Sequence, residues 1–211
     1  MKADGRMQAL NFAIASMLPH LGAWERDQEQ AQVFVRVIAF GDTAEWVVSD
    51  PVPLRTMRWT PLNFVEKGLT AMGAALRLLA EELQPGRLED RALRPAILLI
   101  TDGRPTDPAE FDEGLRILMG TQAGHAAIRL AVAIGRGANS EYLARFIGNP
   151  AIPVLVADNA EQITDQLLAA SLAMSRMSVV GAKRTDAVGV PVPETPSDET
   201  VLPEPADETI L

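Results

Sequence analysis

The stretch AILLITDGRPTD, Ala96 to Asp107, decides the fold. Its first half is a continuous run of branched apolar residues, the pattern of a strand buried on both faces of a parallel sheet. Its second half turns polar at once. Thr101, Asp102 and Gly103 close the strand, and Pro108 then stands in the first turn of a helix, where a missing N–H costs nothing. A carboxylate at the carboxyl end of a buried strand can hold a cation or cap the next turn, as Asp-Gly pairs often do. These residues alone leave both roles open.

On either side of this run the chain alternates in type. Upstream, LTAMGAALRLLAEELQ (69–84) is helical, with Leu76, Leu79 and Leu83 on one face. Downstream come a helix in PAEFDEGLRILMG (108–120), a buried strand in AIRLAVAIG (127–135), and a helix in NSEYLARFIG (139–148) capped by Asn139 or Ser140. A short strand in IPVLVA (152–157) and a closing helix from 159 to 177 complete the series. Such alternation predicts a parallel sheet with helices on both faces and ligands at the carboxyl ends of its strands. The N-terminal third differs. Residues 5–25 form an amphipathic helix that Pro19 bends or interrupts. QVFVRVIAFG and AEWVVSD, joined by Asp42-Thr43, form an antiparallel hairpin. Residues 50–67, broken by prolines, are expected to be a long loop.

Composition narrows the function. The chain has 211 residues, 47% of them apolar and none cysteine, so it can build a core but no disulfide framework or thiolate metal site. No apolar run approaches the ~18 residues of a membrane span, and no signal peptide is visible, so a cytoplasmic location is expected. Of the net charge of −9, the stretch from Thr185 onward supplies −7 through seven acidic residues and no basic one. That leaves residues 1–184 at −2, with no basic stripe for nucleic acid. The division expected is a folded domain over 1–178 and an acidic, Pro-rich, disordered tail over 179–211.

A second motif is GLTAMG. Thr70 alone reads as a helix N-cap. Together with LLITDGRPTD, however, GLTAMG resembles the von Willebrand factor A (vWA) domain, in its bacterial single-domain type associated with tellurite resistance. VIAFGDTAEWVV resembles that family's hairpin, and AVAIGRGAN its strand and loop after the third helix. The resemblance implies a three-layer Rossmann-like α/β fold with one antiparallel edge hairpin strand. It also implies a non-enzymatic protein-interaction module with a metal-ion-dependent adhesion site (MIDAS). There Mg²⁺ keeps one coordination position open for an acidic side chain of a protein partner. Residue by residue it makes Thr70 and Asp102 metal-site residues. It puts Gly103, Arg104 and Thr106 on the partner-binding face, beside the loop from Gly135 to Asn139.

The family begins with a strand ending in Asp-x-Ser-x-Ser followed by Met, and MKADGRMQALNFAI (1–14) matches what comes after the second serine. The expectation is therefore that the first, central strand and its loop are missing. Two consequences follow. One hydroxyl and one carboxylate are a poor trap for an ion that wants near-octahedral oxygen ligands, so Mg²⁺ binding should be weak or absent. Two strand edges would also lose their ladders, at about 1–3 kcal/mol for each unsatisfied group, against a typical total stability of about 5–15 kcal/mol.

The competing functions are a metal-independent scaffold and a nucleotide-dependent enzyme on a doubly wound sheet. The enzyme lacks a phosphate loop and a recognisable acid–base pair, and GRGAN is only a fragment of a dinucleotide fingerprint. His20 and His125 are read as surface or structural residues. Trp24, Trp46 and Trp59 are read as packing residues, with Trp59 a candidate for the rim of the site. In the tail, TPSD sets Asp198 three residues after Thr195, the spacing that forkhead-associated domains read after a phosphothreonine. The resemblance implies neighbouring protein kinases and phosphatases, which makes Thr195 a candidate phosphosite. A merely solubilising acidic tail is the plainer alternative.

Overall fold

A computed structural model describes residues 5–27, 32–62, 69–88, 92–135, 140–159 and 161–173. The tail over 179–211, with Thr195, lies outside the described residues, as do Gly68 and Asn139. In chain order the elements are α1 (Arg6–Arg26), β1 (Phe34–Phe40), β2 (Ala44–Pro53), α2 (Met72–Glu82), β3 (Ala96–Thr101), α3 (Pro108–Gly120), α4 (Gln122–Ala126), β4 (Ile128–Ile134), α5 (Ser140–Ile147) and β5 (Leu155–Ala157). A final helix, α6, covers 161–173.

The α/β class is as the alternation predicts. The parallel sheet has the order β3-β4-β5, with Ala96 opposite Ile128 through Thr101 opposite Ala133, and Val132 opposite Leu155. β1 and β2 form an antiparallel hairpin, Phe34 opposite Pro53 to Phe40 opposite Ala44, with an irregularity between Val35 and Ile38. Among the described residues no ladder joins the hairpin to the parallel sheet.

Side-chain alternation along β4 explains the layers, because successive residues point to opposite faces. Ala131 and Ala133 pack on one face with Leu99 of β3 against Met72 and Leu76 of α2, Phe111 and Leu118 of α3, and Leu143 and Phe146 of α5. Val132 and Ile134 pack on the other against Leu10 and Ala13 of α1 and Ile163 and Leu167 of α6. A third cluster, Leu18, Leu21, Leu54 and Met57, joins α1 to Val35 and Val48 of the hairpin. Two helices therefore straddle the sheets. Ile14 and Met17 of α1 belong to both of the last two clusters. On the other face α2 shares its cluster with Leu99 of β3 and Phe40 of β1.

Four local expectations change. β3 is less buried than its all-apolar sequence implies: Leu99 and Thr101 are buried, while Ile97, Leu98 and Ile100 are only partly covered. The fully flanked strand is β4. β2 continues to Pro53 through residues expected to be loop, and Leu54 N extends the pairing by donating to Val33 O at 2.9 Å. Proline removes a donor and is tolerated on such an edge. α1 runs through Pro19 without a break, with the proline exposed. The short α4 was unforeseen; Thr121 caps it, its hydroxyl accepting from Gly124 N at 2.9 Å.

α2 and α3 cross at two glycines. A Cβ on Gly73 would stand 2.3 Å from the backbone of Glu110, and one on Gly114 would stand 2.7 Å from Gly73 O. Only side-chain-free positions permit that approach. The Arg77–Glu110 ion pair spans the same two helices. This crossing fixes where the N-termini of α2 and α3 end up, and both open at the same edge of the molecule.

Candidate binding face at the strand ends

Three loops meet beyond the carboxyl end of β3. Backbone and hydroxyl bonds stitch them together. Thr70 N donates to Thr106 Oγ1 at 2.9 Å, and Thr106 N donates back to Thr70 O at 3.1 Å. Ala71 N donates to Gly41 O at 2.8 Å, and Leu69 N to Asp42 Oδ1 at 3.3 Å, which ties in the hairpin turn. The structure thus brings Thr70, Asp102, Gly103, Arg104 and Thr106 to one face. Gly103 lies close to Thr70, whose Oγ1 would stand 3.1 Å from an added Cβ and would have to give by a few tenths of an ångström. Arg104 and Thr106 are exposed, and Leu69 beside them is 51% exposed.

The helix-cap expectation for Thr70 is corrected. α2 starts at Met72 with Ala71 at the capping position and no side-chain cap of its own. Its cap comes from another loop. Asp107 Oδ2 accepts from Gly73 N at 2.9 Å and Ala74 N at 3.3 Å. An acidic group at a helix N-terminus satisfies orphan donors and complements the helix dipole. Asp107 itself precedes Pro108 of α3, so one carboxylate ties the two helices that cross at Gly73. The turn after β3 is held by Thr101, whose buried hydroxyl accepts from Gly103 N at 3.2 Å.

Asp102 faces a cation supplied by the chain. Arg6, the first residue of α1, brings Nη1 to 3.6 Å from Asp102 Oδ2, with side-chain exposures of 35% and 17%. The same guanidinium lies over Gly135, at the end of β4, where an added Cβ would come within 3.3 Å of it. Gly135 has a φ of 70°, a left-handed conformation suited to glycine, and its N–H donates to Ala157 O at 2.8 Å. The ends of β3, β4 and β5 are thus linked through Arg6 and Gly135.

The donor set suits Mg²⁺ poorly. Among the described residues it offers the hydroxyls of Thr70 and Thr106, the second already accepting from Thr70 N, and the carboxylates of Asp102, paired with Arg6, and Asp42, accepting from Leu69 N. Among the described residues no group of three or more His, Cys, Asp or Glu side chains gathers to hold an ion. An octahedral ion would have to displace these bonds to take such oxygens as ligands.

Other expectations resolve simply. His20 and His125 are exposed and distant from the face. Trp59 is held against α1. Its Nε1 donates to Asn11 Oδ1 at 3.1 Å, and its ring packs with the α1–hairpin cluster. Among the described residues no helix is long and apolar enough to cross a membrane. Sequence patterns missed Arg6, Asp107 and Asp42. The stretch that holds Arg6 gives it no role, and the partners of all three come from remote segments.

No protein-family profile and no curated protein matches the chain. Solved structures do. The ArnB paralog VWA2 from Sulfolobus acidocaldarius aligns with a TM-score of 0.54 at 14% identity, over 80% of this chain and 40% of that one. A von Willebrand factor type A protein from Catenulispora acidiphila aligns with 0.52 at 17% identity, over 76% and 37%. Proximal thread matrix protein 1 from the mussel byssus aligns with 0.53 at 14% identity, over 78% and 42%, in a structure with a zinc-occupied MIDAS motif. The chain spans about two fifths of the length of these structures. At such identities the likeness establishes the fold, which is of the vWA, Rossmann-like type.

Proposed function

We propose that this chain is a non-enzymatic protein-interaction module of vWA type, working in the cytoplasm. Its partner-binding face is the one built by Leu69, Thr70, Asp102, Gly103, Arg104 and Thr106. The observation that carries the proposal is the stitching of three loops, through the Thr70–Thr106 bonds, onto the carboxyl ends of a parallel sheet. Ligands of open α/β sheets bind at such ends. The exposed Leu69, Arg104 and Thr106 give that face an apolar, a cationic and a hydroxyl contact, the mixture typical of an interface.

In this reading Mg²⁺ binds weakly or not at all, and a titration giving sub-millimolar affinity would contradict it.

The function is tested by affinity capture with the wild-type chain, followed by binding of the purified candidate to Leu69→Ala and Arg104→Glu. At least a tenfold loss of affinity is expected for one of the two. Wild-type affinity in both variants refutes the proposed face. Stabilisation of the chain by ATP or GTP would instead favour a nucleotide-dependent enzyme.

A further inference from the structure

We propose that Arg6 is the resident cation of the strand-end face. Its guanidinium is the counter-ion of Asp102, and a divalent metal ion and this guanidinium exclude one another. The inference does not depend on whether the ligand of the face is a protein.

The geometry supports it from three sides. Arg6 opens α1, so its backbone is anchored by a helix whose Leu10 and Ala13 are buried against the sheet. Its guanidinium lies close over Gly135, where an added Cβ would stand 3.3 Å from it, tighter than ordinary contact. Its charged end stands 3.6 Å from Asp102 Oδ2, and Asp102 is only 17% exposed, so the pair is partly withdrawn from water. A metal ion bound to Asp102 would sit within a few ångströms of the guanidinium, where a double charge against a single one repels strongly even at a surface dielectric. Arginine cannot relieve that repulsion by losing its proton. It must swing away, giving up both Asp102 and the seat on Gly135.

The consequence is a face whose charge is balanced without metal and which engages ligands in EDTA as well as in Mg²⁺. A carboxylate from a ligand would meet the planar fork of Arg6, a group suited to bidentate contact.

The test uses Mn²⁺ as the probe, with paramagnetic broadening of the Gly103 and Thr70 amide signals as the readout. Wild type should show no selective broadening at these amides up to millimolar Mn²⁺. Arg6→Gln should show it at a concentration at least tenfold lower than wild type, and Arg6→Gln with Asp102→Asn should lose it again. Arg6→Lys, which keeps a cation, should behave as wild type and guards against a general effect of altering α1. Equal broadening in wild type and Arg6→Gln, with or without binding, overturns the proposal. So does a gain in Arg6→Gln that persists when Asp102 is neutralised.

Discussion

Replacing Gly73 by alanine tests the geometry that places the face. An alanine at an open helical position gains about 1 kcal/mol over glycine. Here the added Cβ would stand 2.3 Å from the carbonyl carbon of Glu110, about 1.1 Å short of ordinary contact, and the obstacle is backbone. The helices must part by about that distance. A gap of 0.5–1 Å forfeits a quarter to a half of each contact's dispersion energy, and the crossing is lined by Met72, Leu76, Phe111 and Leu118. Overpacking commonly costs about 1–3 kcal/mol, and a rigid backbone clash belongs at the upper end. Net of the propensity gain, a loss of about 2 kcal/mol is expected. For a chain of this size that lowers Tm by about 4–8 °C. Gly120→Ala is the control, because nothing lies within 4 Å of its added Cβ; it should leave Tm unchanged or slightly raised. Differential scanning calorimetry reads both. Because Asp107 bonds to Gly73 N, Gly73→Ala should also speed amide exchange at residues 73 and 74. An unchanged or raised Tm in Gly73→Ala refutes the close crossing.

Three further outcomes follow from single contacts. Glu25 is fully buried and accepts from Val33 N at 2.6 Å and Arg55 Nε at 2.9 Å. Arg55→Ala strips a buried charge of its partner and should cost about 3 kcal/mol in urea unfolding, the low end of the usual range because Arg55 is half exposed. Glu25→Gln, which keeps the acceptor for Val33, should cost less. Arg129 donates to the carbonyls of Phe146 at 2.8 Å and Gly124 at 2.9 Å, and burial lowers its pKa. Arg129→Met takes the guanidinium from the Phe146 carbonyl and leaves the Gly124 carbonyl only the 3.3 Å bond from Ala127 N, and should destabilise by about 1–3 kcal/mol by the same assay. In the tail, a peptide phosphorylated at Thr195 should bind a forkhead-associated domain at least tenfold tighter than the plain peptide, and equal affinities would remove Thr195 as a phosphosite.

The parallel sheet was readable from sequence because its signals are local. The apolar runs of β3 and β4 and the Pro108 helix start need no knowledge of the rest of the chain. Thr70, Asp102 and Thr106 were readable as a group because two motifs bracket them. Arg6 was not. It reaches the site across nearly a hundred residues, and an arginine opening a helix ordinarily signals solvent. Asp107 was hidden for a related reason. It stands where a residue normally caps its own helix, α3, yet its carboxylate serves α2, and only the glycine crossing brings those N–H groups within reach. β3 was read as doubly buried from composition alone, while burial depends on whether both its edges are flanked. The end of β2 is hidden in the sequence because the prolines at 51 and 53 mark a loop only where a donor is needed.

The central claim is that the strand-end face receives the partner. Hydrogen exchange of the chain with and without its purified partner tests this most directly. The account predicts slowed exchange at the amides of residues 69–71 and 103–106, with little change on the hairpin or on α5. Protection confined to those other surfaces, with exchange at 69–71 and 103–106 unaltered, would contradict it.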